Sequence, residues 1–170
     1  MRNSILLFIA LMASSYTFAQ NHLTQFFNQY SDYENVNKIS LEGGLLKLVG
    51  NTTKEGKTLS KLNKLTAIWA EDFNPISKKE VNYLLKNLKK DHYEPLISAR
   101  SGTSNVKFMI QENGNHISSV ILLIDDMDHF LLINLRGNLD YEDFSNIDID
   151  IDGIEHFKKL PKKRPNLKRA

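Results

Sequence analysis

Two stretches of this sequence bring carboxylates together at spacings that can serve chemistry. Asp148-Ile149-Asp150-Ile151-Asp152-Gly153 sets acids at alternate positions ahead of a glycine. That is how a calcium loop opens, because alternate side chains converge on one cation. The rest of the loop is missing: the position of its bidentate Glu is Lys159, and its apolar position is Glu155. An extended segment with Ile149 and Ile151 packed and the aspartates in water accounts for the same pattern. Asp125-Asp126-Met127-Asp128, followed by His129, offers paired carboxylates beside a base, the groups that acid–base hydrolysis uses. A polar hairpin turn explains it without chemistry.

Other chemistries are weaker. Gly56-Lys57-Thr58 resembles the end of a phosphate-binding loop, but the first glycine of that motif falls on Asn51, with Gly50 one place too early. The shift misdirects the amides that would cradle phosphate, which leaves a polar surface loop. His22, His92, His116, His129 and His156 form no H-x-H or H-E-x-x-H pair, so no local zinc site is visible. The absence of cysteine excludes thiolate-based metal and redox sites. There is no G-x-S-x-G elbow, and Ser101-Gly102-Thr103-Ser104 reads as a turn. Arg100 and Arg136 fall at strand ends, where an arginine can hold an anion; pairing with nearby carboxylates is the commoner role and the one expected here. The sequence therefore assigns no catalytic, cofactor-binding or metal-ligating residue.

The elements that would position these groups start after an address. Arg2, the apolar run from Ile5 to Met12 and the small residues of Thr17-Phe18-Ala19 compose a secretory signal peptide over residues 1–19. Its apolar run is too short for about 30 Å of hydrocarbon. Gln20, rather than a cysteine, follows the cleavage site, so no lipoprotein anchor is expected. The expected location is the periplasm or cell surface, in soluble form.

Leu23, Phe26, Phe27 and Tyr30 recur at helical spacing, and Ser77-Lys78-Lys79-Glu80 is a capping box ahead of the stripe Val81, Leu84, Leu85 and Leu88. Strands are predicted over Val36 to Leu41 and Leu65 to Ala70. Gly43-Gly44 breaks the first of them ahead of a Leu-rich run, and Gly50 to Ser60 reads as loop. From Tyr93 to Gly137 the pattern is of strands. Asn113-Gly114 signals a type I′ hairpin, and the apolar runs Val120 to Ile124 and Phe130 to Ile133 predict inner strands joined by the Asp125–Asp128 turn. Helix is predicted over Tyr141 to Phe144, and a short one after Gly153. The expected fold is α+β: one domain, a largely antiparallel sheet with a C-terminal three-stranded meander, and helices packed on it.

The aromatic run Phe26-Phe27-Asn28-Gln29-Tyr30, the stretch Tyr93 through Arg100, Asn105-Val106-Lys107-Phe108, and Ile117 through Ile124 with Asp125-Asp126 carry a resemblance. With Leu132-Ile133-Asn134-Leu135-Arg136-Gly137-Asn138-Leu139-Asp140 they resemble the bacterial domain-of-unknown-function family 4252 (DUF4252) over nearly all of residues 20–157. The strand ending in Gly-Asn-Leu-Asp is the most specific element. The resemblance implies an exported, envelope-facing protein of Gram-negative bacteria and brings no catalytic or binding residue with it.

Residues 158–170 lie outside that pattern. They carry seven Lys/Arg and no acid, and read as a disordered basic tail suited to anionic surfaces. The formal net charge of +2 hides this division, since residues 20–157 hold 14 Lys/Arg against 20 Asp/Glu. The expectation is an exported, non-enzymatic binding module of the cell envelope without cofactors. Its partner is an envelope protein or an anionic envelope surface reached through the tail, not nucleic acid. Two alternatives stand: an envelope-acting hydrolase or enzyme accessory using carboxylates around Asp125 to His129, and an accessory of envelope-stress signalling.

Overall fold

The computed structural model describes residues 21–50 and 56–145. The signal segment, Asn51, the Asp148–Gly153 stretch, the helix predicted after it, His156 and the basic tail lie outside these residues.

Asn21 caps α1 (His22–Tyr30), its side chain accepting from the Leu23 amide, and Leu23, Phe26, Phe27 and Tyr30 turn inward together. β1 (Asn37–Glu42) runs straight into α2 (Gly43–Gly50), so the Leu-rich run is helical, with Leu46 buried and Leu45 and Leu48 exposed. Within the segment expected as loop, α3 (Gly56–Ser60) forms and tucks Leu59 against the sheet. A five-residue turn is too short to show periodicity, which is why its sequence reads as polar loop. β2 (Leu62–Ala70) follows.

The Ser77 capping box is present in both directions and opens α4 (Lys78–Lys90). Such a cap stabilises a helix by about 1 kcal/mol. α4 buries Val81, Leu84 and Leu88, and the chain then enters β3 (Glu94–Ser101), β4 (Ser104–Asn113), β5 (His116–Asp125), β6 (Phe130–Leu139) and α5 (Tyr141–Ser145).

The six strands make one antiparallel sheet in the order β1-β2-β6-β5-β4-β3. The meander has four strands rather than the expected three. Pro95 and a bulge between Pro95 and Ile97 interrupt the alternation of β3, which still pairs with β4 along its length. β5 and β6 are the central strands, as their continuous apolar runs require. The β4–β5 hairpin differs from expectation: its two loop residues are Gly114-Asn115, and of these only Gly114 has positive φ (64°). That is the pattern of a II′ turn, not the I′ turn that Asn113-Gly114 suggests.

One face of the sheet, with Ile68, Leu132, Ile121, Leu123 and Met109, is covered by α1 and α4. The opposite face gathers Leu65, Leu135, Val120, Leu122 and Phe108 against Leu46, Leu59 and Tyr141.

Candidate functional site

The β5–β6 turn disperses its carboxylates instead of pairing them. Asp125 points to the helix-covered face and is buried, with the Asn74 amide 3.4 Å away. Asp126 accepts from the Thr103 hydroxyl at 2.6 Å and from the Met127 amide at 2.7 Å, and these bonds hold its carboxyl below the usual range. Asp128 and His129 stand exposed in the turn. The Asn74 amide also donates to the Asp126 carbonyl at 2.9 Å, so the cluster fixes the loop after β2 to the β5–β6 hairpin.

Burial raises the Asp125 carboxyl, with Lys78 and Asn74 opposing. The folded state therefore holds this proton more tightly than the unfolded chain does. The cost of ionising it is absent below the unfolded pKa near 4, appears as pH rises, and is complete above the folded pKa. Asp125→Asn should then raise the thermal midpoint at about pH 7 and leave it unchanged at about pH 3. An equal gain at both pH values would contradict this account.

The other candidates separate as well. Nδ1 of His22 meets Asp91 at 3.0 Å and that of His116 meets Asp140 at 3.0 Å, while His92 is an exposed residue with positive φ. Lys57 is exposed, and the Thr58 hydroxyl reaches the Asp143 carbonyl at 3.5 Å. Among the described residues no three His, Cys, Asp or Glu side chains are placed to hold a metal, and no helix is long and apolar enough to cross a membrane.

The arginines correct an expectation, since neither Arg100 nor Arg136 forms a salt bridge among the described residues. For Arg136, whose row across the sheet runs through Lys64 to Glu42, the carboxylate in reach is engaged elsewhere. Glu42 binds Lys64 at 2.7 Å, and Asp140 binds Lys61 and His116.

Arg100 opens instead on a groove between α4 and the outer strands β3 and β4. Two hollows of about 300 and 410 Å³ adjoin here, with Asn82, Leu85 and Lys107 lining both. Lys78, Lys86 and Lys89 form one rim, Arg100 and Lys107 the other. Leu85, Leu123 and Met109 floor it between them. None of the five cations has an ion pair among the described residues, and the one acid on the walls is buried Asp125. Lys78 to Lys89 spans about 16 Å at the helical rise. The lysine spacing on α4 and the Ser101–Ser104 turn that pairs β3 with β4 are both visible in the sequence, but the packing of α4 over those strands, which brings Arg100 and Lys107 opposite the lysines, has no local signal. Asp125 shares this groove with Arg100; Asp128 and His129 do not line it.

The model of one protein family, described as a domain of unknown function (DUF4252), matches residues 30–147, which takes in every strand and α2 to α5. No curated protein and no solved structure matches the chain.

Proposed function

Because the chain belongs to the DUF4252 family, whose description names no activity, we propose that it is an exported, non-enzymatic module of the cell envelope that binds an acidic partner protein. The groove between α4 and β3–β4 carries this reading. Five cations without ion pairs among the described residues line two adjoining hollows on a chain whose residues 20–157 are acidic overall. Surface lysines usually face water singly; here a helix and the strand pair that follows it bring them to the two sides of one apolar floor. Their mutual repulsion is relieved when an anionic chain lies between them. The shape favours an extended acidic segment over a bilayer, because a flat headgroup layer cannot enter a hollow flanked by a helix. The tail at residues 158–170 adds a second basic element for the same partner or for the membrane surface.

Binding is tested with a fluorescein-labelled peptide of alternating aspartate and valine, about five to ten residues long, enough to span the groove in extended form. The full chain should bind it at low salt and release it as ionic strength rises. Retention on phosphatidylglycerol vesicles with no peptide binding would overturn the acidic-segment reading. Export is tested by N-terminal sequencing of the mature protein: a start at Gln20 is expected, and an intact Met1 would overturn it.

A further inference from the structure

A second concavity, of about 300 Å³, lies on the same sheet face at the opposite side, between α1 and strands β1, β2 and β6. Its floor is polar in the middle of an otherwise apolar packing layer. Ser40, Thr66 and Asn134 stand side by side across three strands by register. Thr66 and Asn134 are only 8% and 5% exposed. Asn134 is fixed from below, donating to Ser119 Oγ at 2.6 Å and to the Val120 carbonyl at 3.0 Å, and Tyr93 Oη donates to the same Ser119 oxygen at 2.8 Å. The Thr66 hydroxyl and the Asn134 Oδ1 have no hydrogen-bond partner among the described residues, yet neither is sealed from solvent, so both open on the cavity. Polar atoms this deep in a protein are ordinarily satisfied internally. Lys38, Lys64 and Arg136 complete the wall, and no acid among the described residues lines it. Among the described residues, Lys64 alone of the three has an ion pair, with a Glu42 side chain that is 69% exposed.

We propose that this cavity is a binding site for a small hydroxylated anion, a carboxylate or phosphate monoester on a sugar or polyol. The guanidinium of Arg136 fits either anion in a forked geometry. The Thr66 and Ser40 hydroxyls add donors, and Asn134 Oδ1 accepts from a ligand hydroxyl, which a bare anion cannot supply. The volume suits a ligand of about ten to fifteen non-hydrogen atoms, at the small end of ligand pockets. The site is independent of the α4 groove, and either stands without the other.

The test is a titration of the isotope-labelled full chain with glucuronate, glycerol 3-phosphate and inorganic phosphate, followed by amide NMR shifts. At least one hydroxylated probe should saturate with a Kd of about 1 mM or tighter, moving the amides of Thr66, Asn134 and Arg136. Which probe wins distinguishes a sugar-acid from a phosphomonoester ligand. Arg136→Gln should weaken that probe at least tenfold, as loss of a charged hydrogen bond does. Thr66→Val, which keeps shape and strand preference, should weaken it about fivefold with the rest of the spectrum intact. Three results would each overturn the assignment: no saturation by either hydroxylated probe, inorganic phosphate binding as tightly as both, or both variants titrating like the parent.

Discussion

Gly137→Ala is expected to destabilise the protein by about 3 kcal/mol, the upper part of the range for forced overpacking. Gly137 sits opposite Leu62, where β6 meets the start of β2 at a register shift. A Cβ there would overlap the Lys61 carbonyl oxygen and lie 2.9 Å from the Leu62 Cα. Both are backbone atoms, so no side chain can swing aside. The same Lys61 carbonyl accepts from the Asn138 amide at 3.1 Å, so separating the strands also costs a hydrogen bond. Lys61 then extends its ammonium to Asp143 at 2.8 Å and Asp140 at 3.1 Å, bonds that raise its own pKa and bring α5 against the sheet. The Gly-Asn-Leu-Asp turn is thus a clasp: glycine permits close approach, asparagine's amide and aspartate's carboxylate hold Lys61, and Leu139 is fully buried. Urea unfolding measures the change; a loss under about 0.5 kcal/mol with unaltered m-value would refute the close-approach role.

Ile121→Ala is expected to cost about 3–4 kcal/mol, through lost transfer energy and the cavity left behind. Ile121 is 0% exposed on central strand β5, flanked by Met109 and Asn134, beneath the helices. The α1 and α4 side chains above it cannot collapse inward without losing their own contacts with Ile68 and Leu132. Ile39→Ala on edge strand β1 is the internal comparison: Ile39 is 40% exposed, and its truncation should cost under about 1 kcal/mol. Equal losses at the two positions would mean that the helix-covered face is not the main core.

These two residues mark what was legible in the sequence. The Val120–Ile124 run identifies a central strand because burial on both faces removes alternation. The Ser77–Glu80 box locates α4 because capping is local chemistry. Elements whose conformation is set by distant partners were not legible. The Leu-rich run from Gly43 is preceded by Glu42 and not by a Ser, Thr, Asp or Asn cap signal, and it folds as a helix where Gly43 packs against the Leu62 and Asn63 backbone. Strand is expected from Tyr93 onward, but not the bulge that carries β3 past Pro95 in its pairing with β4. The candidate sites follow the same rule. The conspicuous local cluster, Asp125 to His129, resolves into a structural turn, whereas Arg136 acquires its setting from β2, far away in sequence, and Arg100 from the packing of α4 over β3 and β4.

The central claim, that the α4 groove binds an acidic partner segment, is tested most directly by two charge reversals of equal size. Arg100→Glu with Lys107→Glu alters the groove; Lys47→Glu with Lys57→Glu alters exposed cations on α2 and α3. Both change the net charge identically, so any general electrostatic attraction falls equally. With the labelled aspartate–valine peptide at low salt, the groove pair should weaken binding by about 100-fold or more, since opposite charges become like charges at the contact. The control pair should weaken it by no more than about threefold. Equal losses in the two variants would contradict the account, because the peptide would then be responding to overall charge and not to the groove.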